Sequence, residues 1–128
     1  MKGKISLITI LTIDVERMLE FYNTVLGFNI STQSGEYVEL ENEGVRFAIC
    51  SRKVMFNFTN HQQFNDIPTG QRFELAFPLA SKAEVDRTYS EIVKKGAVPI
   101  KEPSDMPWGQ RTAFFADPDG NVHELFSD

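Results

Sequence analysis

The sequence predicts an α+β protein made of two βαβββ modules, and three observations carry that expectation. A β-branched stretch near the start reads as a strand, an amphipathic helix closed by a glycine follows it, and from Arg72 onward the same order of elements runs a second time. Module 1 is expected over about residues 4–52 and module 2 over about 72–128, joined by a connection over 53–71, all within one domain of 128 residues.

In module 1, ISLITIL is apolar, β-branched and weakly alternating, so it is expected to be extended. Asp14 then offers a carboxylate to the free N–H groups of a helix start, and Glu16 suits the positive end of the first turn. Val15, Met18, Leu19, Tyr22, Val25 and Leu26 recur at helical spacing, and Gly27 ends the run. FNISTQ, EYVELEN and VRFAIC follow as short strands, with Glu-Asn-Glu-Gly between the last two as a hairpin-like signal.

Module 2 repeats this plan. RFELAFPL is the expected first strand, Ser81 with Glu84 forms a capping box, and Val85, Tyr89 and Ile92 mark a helix that ends at Gly96. AVPIKE, RTAFFAD and NVHELF complete the set, the last two joined by Asp117-Pro118-Asp119-Gly120, whose residue types suit a type I turn. Leu7 stands seven residues before the cap Asp14 and Glu74 seven before the cap Ser81, which makes Leu7 and Glu74 equivalents. Aligning Gly44 with Gly120 likewise pairs Ala48 with Glu124.

Between the modules, Lys53 to Gln71 is polar but carries Met55, Phe56, Phe58 and Phe64. So long a connection has either of two roles: a linker whose phenylalanines cover a sheet edge, or a lid over a ligand.

Composition narrows the function classes. With 41% hydrophobic and 24% charged residues the chain is an ordinary soluble domain, and no apolar run is long enough to span a bilayer. No membrane partner is therefore expected, nor a leader segment. A net charge of −5 argues against a nucleic-acid partner, since such binding needs a basic face. The single cysteine, Cys50, excludes an internal disulfide and a Cys-rich zinc cage, and a cytoplasmic location is expected.

Taken together, Asp14, Phe21-Tyr22-Asn23-Thr24-Val25-Leu26-Gly27-Phe28, Glu74-Leu75-Ala76-Phe77, Gly96-Ala97, Pro107-Trp108-Gly109-Gln110-Arg111 and Asp117-Pro118-Asp119-Gly120-Asn121 leading to Glu124 resemble the vicinal oxygen chelate superfamily. This is also called the glyoxalase, bleomycin-resistance and extradiol-dioxygenase superfamily. The resemblance implies paired βαβββ modules whose mixed sheets curl around a U-shaped cleft, commonly completed by dimerisation, so a homodimer holding a small molecule is expected. It also implies that metal ligands, where present, come from the first and last strands of each module. Those positions here are Leu7, Ala48, Glu74 and Glu124.

Only two of the four can bind a cation. Two carboxylates without an imidazole make a poor zinc or iron site, so no cofactor is expected, although a hard divalent metal such as Mg or Mn stays open if water, substrate or His61 adds ligands. Strand alternation places Glu124 and Phe126 on the cleft side with Arg46, and turns His123 away.

Two glutamates facing each other need an explanation, because buried charge is costly unless paired or protonated. Either Arg46 or Arg111 neutralises them, or they meet a cationic or hydrogen-bond-donating ligand, with one acting as a general base if the protein is an enzyme. The expected ligand contacts are Trp108, Phe126, Glu74, Glu124, Leu7 and Arg46. The function these residues favour is non-catalytic sequestration of a planar or cationic compound, in the manner of bleomycin-resistance proteins. The alternative is a metal-dependent lyase, isomerase or dioxygenase of the same superfamily.

Overall fold

A computed structural model describes all 128 residues. The chain divides into two compact units, Met1–Pro68 and Thr69–Asp128. Each carries a four-stranded mixed sheet with helix packed on it, which makes the fold α+β, as the repeat predicts.

In the first unit, β1 (Leu7–Thr12) leads into α1 (Val15–Glu20), and β2 (Ile30–Ser34), β3 (Tyr37–Leu40) and β4 (Arg46–Ser51) follow. The sheet order is β1-β4-β3-β2, with β1 parallel to β4 and the other pairs antiparallel. Asp14 caps α1 as expected, its side chain accepting from Arg17 N at 3.0 Å. The expected single helix is two pieces: α1 is followed by a π-helical turn over Phe21–Val25. That turn lets the neighbours Phe21 and Tyr22 both bury. Gly27 then takes φ +84°, a left-handed conformation that closes helices at little cost for glycine.

Register fixes which face meets the helix. Ile10, Val38 and Ile49 lie in one row across the sheet and Leu40 and Phe47 in the next, all buried. Tyr22 packs edge-on to Phe47 with ring centroids 5.5 Å apart. Fully burying side chains of this size contributes about 2–3 kcal/mol each, so this layer is the main stabiliser of the unit. Leu7, Thr9, Glu39, Arg46, Ala48 and Cys50 occupy the opposite face.

The connection is largely helical. α2 (Arg52–Thr59) begins directly after β4, its N-terminus capped by Ser51, and a 3-10 turn over Gln62–Phe64 follows. His61 is committed to that turn, its Nδ1 accepting from Gln63 N at 3.3 Å.

In the second unit, β5 (Ala76–Pro78), α3 (Lys82–Lys94), β6 (Val98–Asp105), β7 (Arg111–Ala116) and β8 (Val122–Ser127) form a sheet ordered β5-β8-β7-β6. Ser81 Oγ accepts from Glu84 N at 3.2 Å, half of the expected capping box. Glu84 reaches back to Ala80 N rather than to Ser81. Val85, Tyr89 and Ile92 of α3 are buried, as are Ala113, Phe115 and Leu125 of the sheet. The expected strand RFELAFPL is a correction: only Ala76–Pro78 pair with β8, and Glu74 precedes the ladder.

The internal registers confirm the duplication. Thr9 pairs with Ala48 in β1 and β4, and Ala76 pairs with Glu124 in β5 and β8. Counting back two residues, Leu7 occupies in its module the place of Glu74, and Ala48 that of Glu124.

Candidate functional site

The site is built on β8 and the segment that enters β5. Along β8 exposure alternates: His123, Leu125 and Ser127 are buried, whereas Val122, Glu124 and Phe126 are half-buried on the other face. Cross-strand pairing sets Phe114 beside Glu124 and Thr112 beside Phe126, and Ser104 of β6 beside Thr112. One sheet face thus carries Ala76, Glu124, Phe114, Phe126, Thr112 and Ser104 together.

Glu124 is the perturbed acid of this face. Its carboxyl pKa is raised above the ordinary value, first by burial, then by hydrogen bonding to Glu74 and by repulsion from that like charge. The structure therefore brings the two glutamates together, although Glu74 stands outside the strand expected to hold it. Neither arginine considered as their neutralising partner fills that role. Arg46 donates from Nε and Nη2 to the Glu39 carboxylate, the latter contact at 3.2 Å. Arg111 donates to Asp86 at 2.7 Å and to Asp105 at 3.2 Å. In each case the closer acid is set by local register or by α3, and neither is visible from spacing along the chain.

Two polar atoms on the same face are orphaned. Ser104 Oγ and Thr112 Oγ1 are buried without a hydrogen-bond partner, an arrangement costing roughly 1–3 kcal/mol per group. Sequence reasoning missed both, because a Ser and a Thr in strands carry no local sign of lacking a partner.

The remaining candidates belong to other elements. Trp108 sits in the tight turn between β6 and β7, 68% exposed, its indole N–H donated to Gln110 Oε1 at 2.9 Å. Leu7 is 37% exposed and, with Arg46, belongs to the helix-free face of the first unit. Cys50 is buried there, and burial pushes its thiol pKa up, away from nucleophilic use.

His123 faces away from Glu124, as alternation requires. It is fully buried, with Phe73, Phe77 and Phe115 around its ring at centroid distances of 6.0, 5.9 and 5.9 Å. Its Nδ1 accepts from Leu75 N at 3.2 Å, and its Nε2 lies 3.5 Å from Asp117 Oδ2. A transition metal does not fit these donors: nowhere do three or more His, Cys, Asp or Glu side chains gather into a ligand set.

The second unit also has a groove of about 550 Å³ between α3 and β6, lined by Tyr89, Val93, Pro103, Glu102, Lys94 and the Asp86–Arg111 pair. It lies on the helix side of the sheet, because Arg111 pairs with Ser127 on the face of His123. The groove is therefore separate from the face carrying the glutamates, and within it Arg111 neutralises Asp86.

Comparison with known proteins places this geometry. Residues 4–125 match the Glyoxalase/Bleomycin resistance protein/Dioxygenase superfamily, and the chain belongs to that superfamily. The uncharacterized protein YraH of Bacillus subtilis (strain 168) is 30% identical over 127 residues, covering 96% of this chain and 97% of that one. A glyoxalase/bleomycin resistance protein/dioxygenase from Nocardioides superposes with a TM-score of 0.86 at 28% identity, over 99% of this chain and 84% of its own. A family enzyme from Burkholderia phytofirmans PsJN superposes with a TM-score of 0.88 at 24% identity, over 98% of both chains. At that identity the likeness concerns the fold.

Proposed function

We propose that this protein binds a small molecule without transforming it, sequestering a planar or cationic compound on the acidic, aromatic sheet face of its second unit. We place it in the cytoplasm as a homodimer that needs no cofactor. The carrying observation is the Glu74–Glu124 pair. Glu124 is partly removed from water beside the exposed Glu74, and no arginine or lysine is bonded to either, so a ligand that is cationic or donates hydrogen bonds relieves a cost that Glu124 bears in the free protein.

Phe126 and Phe114 flank Glu124 and offer flat apolar surface to a planar body, and the hydroxyls of Ser104 and Thr112 await a polar partner nearby. Trp108 at the exposed β6–β7 turn adds stacking surface. Leu7 and Arg46 are assigned the equivalent face of the first unit.

A thermal-shift screen with cationic aromatic amines, uncharged aromatics and divalent cations tests this reading. Saturation at a hundred times Kd stabilises by about 2.7 kcal/mol, well above detection. A cationic aromatic is expected to raise the midpoint of the parent protein and to do so far less in E74Q/E124Q. Chromatography is expected to return the compound unchanged. Thr112→Val is expected to stabilise the free protein, by removing an orphaned hydroxyl, while weakening that compound's shift. Stoichiometric transition metal in the purified protein together with turnover would instead support the metal-dependent lyase, isomerase or dioxygenase reading.

A further inference from the structure

Glu74 lies just before the β-ladder. β5 pairs with β8 from Ala76, the bond from Glu124 N to Leu75 O being the first of that pairing, so residues 71–74 approach β8 through other bonds. Two of those bonds come from the side-chain amide of Gln71. Its Nε2 donates to Val122 O at 2.8 Å, and its Oε1 accepts from Val122 N at 3.0 Å. The amide thus satisfies both backbone groups of Val122, as a neighbouring strand would. The same Nε2 also donates to Phe73 O, which folds the segment back on its own anchor.

The next contacts come from β8. His123 Nδ1 accepts the Leu75 N–H at 3.2 Å, and Leu75 O accepts the Glu124 N–H at 2.9 Å. Glu74 is therefore bracketed by Gln71, bound to the residue just before His123, and by Leu75, bound to His123 and Glu124. The imidazole is itself held: its Nε2 faces the Asp117 carboxylate at 3.5 Å, and Asp117 accepts from Asp119 N, Asn121 N and Asn121 Nδ2 at 3.0, 3.0 and 2.8 Å. A neutral ring that accepts at Nδ1 carries its proton on Nε2, the nitrogen directed at that carboxylate.

We propose that Gln71 and His123 are positioning residues, whose side chains extend the anchorage of this segment beyond the end of the strand pairing and hold Glu74 against Glu124. This rests on reading the acid pair as the ligand-binding centre. Gln71 is exposed and lies 51 residues from Val122 in sequence. Its energetic role is confined to this anchorage, so its substitution leaves the core of the unit intact.

The test is an NMR pH titration of the Glu124 carboxyl carbon in the labelled full-length chain, for the parent, E74Q, Q71A, Q71A/E74Q, H123F and H123Q. In the parent background, E74Q is expected to lower the Glu124 midpoint, because the like charge and shared hydrogen bond are gone. In Q71A the midpoint is expected to fall as well, with E74Q then adding little. Leu75 amide exchange is expected to quicken by about tenfold in H123F, which fills the ring's space but accepts nothing, and to return toward the parent rate in H123Q, whose amide oxygen can accept. Dispersed amide spectra confirm that each variant folds. Parent-like Glu124 midpoints and an undiminished response to E74Q in Q71A would overturn the assignment while leaving the acid pair standing. An unmoved Glu124 midpoint in E74Q itself would instead remove the pair, and with it both readings.

Discussion

At the residue scale Glu124 shows how a site is marked by a cost. Its folded-state pKa is raised, chiefly by burial and then by Glu74, so the folded chain holds a proton there that the unfolded chain releases sooner. Over the interval from the ordinary carboxylate value up to the raised one, stability therefore falls as pH rises, and above the raised value the penalty is complete. Glu124→Gln removes it. The variant is expected to melt a few degrees above the parent at pH 7 and to lose that advantage as the pH is brought below the ordinary carboxylate range, measured by thermal unfolding across pH. An advantage that grows on acidification would contradict the assigned sign. Alternation alone puts Glu124 and His123 on opposite faces, so this much is legible in NVHELF. The partners of Arg46 and Arg111 are not, because Glu39 and Asp86 are brought near by register and helix packing.

Elements whose determinants are local are equally legible. Caps and turns link residues two to four apart, so Asp14, Ser81 and the Asp117-Pro118-Asp119-Gly120 turn can be read directly from the chain. In the turn, Gly120 N donates to Asp117 O at 2.9 Å, and glycine there adopts φ +85°. The short β5 is not legible, because the residues expected to extend it are drawn to β8 by side chains far away in sequence. Asp117 joins the two cases. It is fully buried and accepts from three N–H groups while facing His123, so its removal strands several donors at once. Asp117→Ala is expected to cost about 3 kcal/mol or more, lowering the thermal midpoint by roughly 10 °C. A drop of only a degree or two would mean that the turn and the β7–β8 pair hold without this carboxylate.

At the scale of the whole molecule, the duplicated plan of elements is legible because hydrophobic period and caps repeat, and family membership follows from that order. What the repeat does not encode is association. Phe58, Ile67 and Trp108 are 81, 82 and 68% exposed, large apolar side chains that a solitary chain leaves in water at a cost. The homodimer proposed above would cover some of them, against a net charge of −5 that favours separation. A stable dimer of this kind buries on the order of 1,200–2,000 Å². Light scattering coupled to size exclusion is therefore expected to give about 29 kDa, twice the chain mass of 14.6 kDa. Serine at Phe58, Ile67 and Trp108 together is expected to shift the population toward a folded species of single-chain mass, because those side chains supply apolar area that charge repulsion must be set against. A parent protein that elutes at the single-chain mass at every concentration would show that these residues are simply tolerated in solvent, and that any ligand is held by one chain alone.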